Sequence, residues 1–290
     1  MGASERVQPV IDAHTHLFPP DVVRDRASFL ERDAWFGELY VSPRTRLATP
    51  EDLVASMDRA GIATSVVCGW PWRDSGLCRE QNGFLAEVRR RYPERIAWLA
   101  IVNPAERSAM ADAERAMSMG ASGLGELNAD AQGFAWEDRH VMSPVAEYCT
   151  EDGVPLLMHC SEPVGHAYPG KGTATPDRIL AFLQSFPSLK VIAAHWGGGL
   201  PFYELMPEVA LATRNVVYDS AASTYLYDFS MFAHAERLVG EDRIVVGTDY
   251  PLLRQKAFLQ RVRDSGISPA ALPRVLGGTA ARVFGLAQEA

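Results

Sequence analysis

Little in this chain belongs to a secreted, membrane-spanning or nucleic-acid-binding protein. Only four cysteines occur in 290 residues, Cys68, Cys78, Cys149 and Cys160, and no two form a C-x-x-C pair. They read as free thiols in a reducing cytoplasm, and nothing suggests a base that would make Cys160 a nucleophile. No apolar run reaches membrane-spanning length, and no signal-peptide pattern is seen. The 28 basic residues are outnumbered by 36 acidic ones, for a net charge of −8. That balance disfavours nucleic acid and anionic membrane surfaces and leaves small molecules as the expected partners. No G-x-G-x-x-G or G-x-x-x-x-G-K-[ST] loop follows an early strand, which argues against an open, doubly wound nucleotide-binding sheet. Repeats and low-complexity tracts are missing as well.

What the chain does have is apolar content, 47% of its residues, distributed in a regular pattern. Eight short β-branched runs read as strands: Pro9 to His14, Ala63 to Gly69, Ile96 to Val102, Ser122 to Leu127, Val154 to Cys160, Leu189 to His195, Asn215 to Asp219 and Arg243 to Asp249. Most are continuously apolar, as parallel strands buried on both faces must be, and amphipathic stretches such as Glu51 to Ala60 and Asn82 to Arg91 separate them. Eight strand-helix units with right-handed crossovers close most naturally into an α/β (β/α)₈ TIM barrel, a single domain over residues 1–290. The long segment from Pro19 to Pro50, rich in charge and aromatics, is an insertion after the first strand that would cover a site.

The first strand runs into "PVIDAHTHLF". Side chains at i and i+2 of a strand share a face, so His14 and His16 place two imidazoles side by side. Chemistry in a TIM barrel sits at the C-terminal strand ends, and other strands bring more there. Strand four ends in "GLGEL" with Glu126, strand five in "LLMHC" with His159, strand six in "VIAAHWGGG" with His195 and strand eight in "IVVGTDYP" with Asp249. Four imidazoles and two carboxylates converging on one mouth form the ligand set of zinc and similar divalent ions. His140 and His234 receive no role.

Through "DAHTHLF", "HCSEP", "AHWGGGLP", "GTDYP" and the closing "GGTAARVFGL", the chain resembles the amidohydrolase superfamily over nearly its whole length. Within it, the likeness is to the amidohydrolase-related group of aminocarboxymuconate-semialdehyde decarboxylase-like metal-dependent barrels. The resemblance implies that His14, His16, His159 and Asp249 bind the metal and that His195 lies beside it as an acid/base or ligand. Glu126 stands where some relatives place a carboxylate bridging two metals, so one or two ions are expected, with zinc in first place and manganese second. A homodimer is compatible with the group.

The chemistry expected from this set is hydrolysis of a small amide, ester or lactone. A divalent cation supplies hydroxide at neutral pH, Asp249 takes and returns the proton, and His195 hydrogen-bonds the substrate oxygen that becomes negative. The alternative is nonoxidative decarboxylation of a small unsaturated or aromatic carboxylic acid, which additionally needs a cation or metal contact on the departing carboxylate. Lys171, Arg73 and Arg254 are the candidates, and Glu126 tilts the expectation toward hydrolysis. Two further readings, a noncatalytic barrel and a metal-independent lactonase, fit the complete ligand set less well. For substrate binding the sequence offers His166, Tyr168 and Lys171 in "SEPVGHAYPGKG", and Trp70 and Arg73 in "CGWPWRD" beside Trp72. The three glycines of "HWGGGLP" would bring backbone close to the site, and Asp219 would orient His195 or cap a turn.

Overall fold

Eight parallel strands follow one another as expected, each shorter than its apolar run: β1 (Ile11–His16), β2 (Thr64–Cys68), β3 (Ile96–Trp98), β4 (Leu124–Leu127), β5 (Leu156–Met158), β6 (Val191–Ala193), β7 (Val216–Asp219) and β8 (Ile244–Val245). The computed structural model describes residues 8–286; the first seven and last four residues of the expected domain lie outside the described residues. β1 to β3 and β4 to β8 pair in sequence order. Parallel bridges between Ala100 and Leu124 and between Thr15 and Tyr250 join the two arcs. The result is a closed (β/α)₈ barrel.

Strand alternation divides the core. Ile11, Ala13, Val66, Cys68, Ala97, Leu99, Leu157, Ile192, Val217 and Val245 form one buried cluster with the barrel strands. The opposite faces join a larger cluster with the surrounding helices. Those helices are set by local signals. Pro50–Ala60 starts with Thr49 and Asp52 in a reciprocal capping box, carries proline at its first turn and ends at Gly61 with φ 70°. Ser75–Arg91 begins two turns earlier than the periodicity from Asn82 predicts. Asp74 fixes its start by accepting from Leu77 N, and buried Leu77 and Cys78 extend its inner face toward Gln81 and Asn82. Asn82 lies inside this helix, accepting from Ile101 N and donating to Ile101 O, both at 2.8 Å.

The insertion after β1 forms three short helices, α1 (Pro20–Arg24), α2 (Arg26–Arg32) and α3 (Ala34–Tyr40). Asp33 caps α3 by accepting from Phe36 N, and its other oxygen accepts from Arg73 N, which ties the insertion to the loop after β2. No described helix is long and apolar enough to cross a membrane.

Glu204 ties together the segments around β6, β7 and β8. It accepts two hydrogen bonds from the Arg243 guanidinium and one from Tyr218 Oη, with its side chain 3% exposed. Glu204→Ala leaves Arg243 and Tyr218 facing a hole, so we expect a loss of ~3 kcal/mol in unfolding free energy, measured by urea denaturation. A loss under ~1 kcal/mol would show that solvent replaces these bonds.

Candidate metal centre

β1 is buried at all six positions; its pairing with β2 shifts register between Asp12 and Thr15, and both imidazoles of H-x-H turn toward Glu126 at its C-terminal end. His14 Nε2 stands 3.1 Å from His16 Nε2 and 3.4 Å from Glu126 Oε2. His16 Nε2 lies 3.6 Å from the same carboxylate oxygen and 3.5 Å from Asp249 Oδ1. The other oxygen of Glu126 faces a second pair: His159 Nδ1 at 2.9 Å and His195 Nε2 at 3.3 Å, the two nitrogens 3.2 Å apart. The structure therefore brings all six predicted residues together but in two groups, His14 with His16 and Asp249, and His159 with His195, with Glu126 between them.

The outward nitrogens explain how the rings are aimed. A carbonyl oxygen only accepts, so His195 Nδ1 donates to Ala221 O at 3.1 Å and His159 Nε2 donates to Gly170 O at 3.2 Å. His14 Nδ1 donates to Asp219 Oδ2. Asp219 thus orients His14 and not His195, because β7 delivers its carboxylate to the side of the barrel where β1 closes on β8, and its other oxygen caps the following turn by accepting from Ala221 N at 2.9 Å. Gly247 makes room for this pair, since a Cβ there would collide with both Asp219 and His14.

With three outer nitrogens committed as donors, the inner nitrogens of His14, His159 and His195 are left pointing at a carboxylate. Burial works against a charge on His14 and His195, yet carboxylates outweigh it: Asp219 and Glu126 hold His14 well above the ordinary imidazole value, and Glu126 with Asp249 pushes His195 up to about 9. Burial likewise opposes ionisation of Glu126, but His14 and its other imidazole partners hold its pKa well below the usual carboxylate range. His16 goes the other way, lowered by burial and by the charge on His14. The carboxylates draw positive charge into the cluster, as protons when no ion is bound, and imidazole with carboxylate at mutual spacings of 3.1–3.6 Å suits a divalent cation in their place.

Two backbone irregularities place these groups. His195 to Gly199 all have positive φ, from 55° to 95°, a left-handed turn after β6. The glycines are needed there: a Cβ on Gly198 would strike Ser161 O. His195, Trp196 and Asp249 adopt the same region without that freedom, at ~1–2 kcal/mol each, a cost that surrounding contacts must offset.

The candidate substrate-binding residues meet different environments. Lys171 donates its ammonium to Val164 O and His166 O, Tyr168 donates to Glu162, and the exposed His166 ring lies 5.4 Å from the Tyr168 ring. The loop after β5 spends its polar groups on itself. Its link to the cluster is Gly170, whose carbonyl fixes His159 while its N–H is held by Glu38 of α3. Trp70 is 4% exposed and packs on His16 with Phe18, Phe36 and Tyr40 around it, a wall behind the cluster. Arg73 is exposed and lines a cavity of about 150 Å³ with Arg32, Glu38, Asp130 and Trp35. Arg254 is also exposed. Trp35, unmarked by any motif, stands 6.1 Å from the His159 ring, so the insertion reaches the cluster.

Comparison with known proteins gives a family and corrects a function. An amidohydrolase family model matches residues 11–286. The 6-methylsalicylic acid decarboxylase of Penicillium expansum is 24% identical, over 92% of this chain and 97% of its own. The gamma-resorcylate decarboxylase of Polaromonas sp. (strain JS666) is 24% identical over 93% and 97%. A solved 5-carboxyvanillate decarboxylase from Novosphingobium aromaticivorans, holding manganese and 4-hydroxy-3-methoxy-5-nitrobenzoic acid, aligns with a TM-score of 0.78 at 18% identity, over 97% of both chains. The expectation of a hydrolase is overturned by these relatives, which are named as decarboxylases. It rested on Glu126 as a mark of hydrolytic two-metal sites, and Glu126 proves to be the central partner of four imidazoles, a position that does not single out hydrolysis. The chain belongs to the amidohydrolase family.

Proposed function

We propose that this protein is a metal-dependent nonoxidative decarboxylase of a small aromatic carboxylic acid. The observation that carries the reading is the buried cluster of inward-facing nitrogens and carboxylate oxygens around Glu126, joined to the decarboxylase names of its relatives. His14, His16 and Asp249, with Oε2 of Glu126, would hold one divalent cation. His159, which the resemblance also places among the ligands, faces the other oxygen of Glu126 beside His195. Manganese displaces zinc as first choice because a solved relative holds it, and because every donor here is nitrogen or oxygen. When bound, the cation supplies Lewis-acid stabilisation of negative charge developing on a substrate oxygen.

The reaction replaces a C–C bond by a C–H bond: the ring carbon keeps the electron pair as CO₂ leaves and takes up one proton. The chain must therefore hold a proton over the ring carbon and keep water from competing. His195 is suited to the first task. Its Nδ1 is fixed on Ala221 O, so the proton that Glu126 stabilises sits on the inward Nε2. Trp35 and the self-tied loop after β5 serve the second, closing over His159. Glu126 keeps both imidazole pairs oriented and stays ionised, while Asp219 holds the His14 tautomer.

Incubation of the manganese-loaded protein with a panel of hydroxybenzoic acids, followed by CO₂ detection, tests this. We expect release with at least one member, a fall of roughly 100-fold or more on chelation, and recovery with Mn²⁺, since several kcal/mol of charge stabilisation leave with the ion. Release that survives chelation would refute metal dependence.

A further inference from the structure

We infer that Asp12 is a positioning residue, locking the turn that carries Asp249 onto the strand that carries His14 and so setting the spacing of the donor cluster. The inference rests on the cluster being a cation site. Asp12 is fully buried and has no cationic side chain within ion-pair distance among the described residues. Its carboxylate instead gathers four hydrogen bonds from three parts of the chain. Oδ1 accepts from Thr248 N at 2.9 Å and from His14 N at 3.4 Å; Oδ2 accepts from Thr248 Oγ1 at 2.6 Å and from Gln255 Nε2 at 2.7 Å.

The residue between these partners is Asp249. Thr248 precedes it and is held twice by Asp12; Tyr250 follows it and donates its N–H to Thr248 Oγ1 at 3.2 Å, so the hydroxyl passes the same constraint across. Asp249 donates its own N–H to His14 O at 2.9 Å and sits at φ 61°, a left-handed conformation that persists only where neighbours over-determine it. Gln255, fully buried, donates its amide nitrogen to Asp12 at 2.7 Å and to Ser65 Oγ at 3.4 Å while its Oε1 has no partner among the described residues, so the shorter bond to the carboxylate leads in setting the amide's orientation. A buried carboxylate without a counter-charge is costly, and here four donors offset that cost. What only a carboxylate does is accept on both oxygens at once: an asparagine amide turns N–H groups toward Thr248 N or toward Gln255.

Metal-depleted wild type, Asp12→Asn and Thr248→Val, which removes the hydroxyl at similar volume, are titrated with Co²⁺ by calorimetry, and the visible spectrum of each loaded protein is recorded. Both variants are expected to bind roughly 10–100-fold more weakly, with an altered cobalt spectrum and a cooperative melt retained. Folded variants with the affinity and spectrum of wild type would overturn the positioning role. If Asp12→Asn does not fold, Thr248→Val decides by the same two readouts. A wild type that takes up no Co²⁺ would refute the cation site itself, and the positioning role with it.

Discussion

Replacing His14 and His16 together by alanine is expected to yield a folded protein without bound manganese and with turnover lowered roughly 1,000-fold or more. Both imidazoles are buried, one fully and one with 4% exposure, and no other described side chain offers a nitrogen to Oε2 of Glu126 and to Asp249 in their place. The loss combines the Lewis-acid contribution, several kcal/mol, with the misplacement of Glu126, and each ~1.4 kcal/mol is tenfold in rate. Elemental analysis and circular dichroism of variant and wild type read the two parts separately. One equivalent of metal per chain in the wild type and almost none in the variant is the expected pair of values. Equal metal in both would remove these residues from the site.

The second large effect belongs to His195. His195→Gln keeps a polar group of similar reach but cannot carry a proton to carbon, so turnover is expected to fall by roughly 100- to 10,000-fold with metal content unchanged. The pH dependence follows from the raised pKa. In the proposed reaction protonated His195 is the active form, so activity is expected to persist below its pKa and to be lost as pH rises through it. In the metal-free protein that value is about 9, because Glu126 and Asp249 outweigh burial. A cation beside His14 and His16 disfavours the proton, which places the alkaline limb of the metal-saturated enzyme at or below about 9. The limb is expected in wild type and not in the residual activity of His195→Gln. A variant that keeps the limb would assign the proton to another group.

The barrel was legible because buried parallel strands leave continuous β-branched runs, and the cluster because strand ends are where such a fold gathers its polar side chains. H-x-H needs only the period of two. What the sequence concealed depends on distances between strands. That Asp219 meets His14 rather than His195 follows from how β7 and β8 stand against β1, with Gly247 clearing the space. The division of the donors into two groups about Glu126 has no signature in spacing. Lys171 and Tyr168 look available in a string of residues, and only the folded loop shows their hydrogen bonds going to Val164, His166 and Glu162. Trp35 went unmarked because α3 is short and its one contact with the cluster crosses from the insertion to β5. Hydrolysis and decarboxylation draw on the same kinds of side chain, so a carboxylate on β4 could not decide between them.

Hydrolysis and decarboxylation send the atoms of solvent to different places. The manganese-loaded protein is given each hydroxybenzoic acid that it turns over, once in D₂O and once in H₂¹⁸O, and the organic product is examined by mass spectrometry and proton NMR. Decarboxylation predicts a product shorter by CO₂, with one deuterium on the vacated ring carbon and no ¹⁸O in a carboxylate. A carboxylate product bearing ¹⁸O, formed without loss of CO₂, would contradict the account.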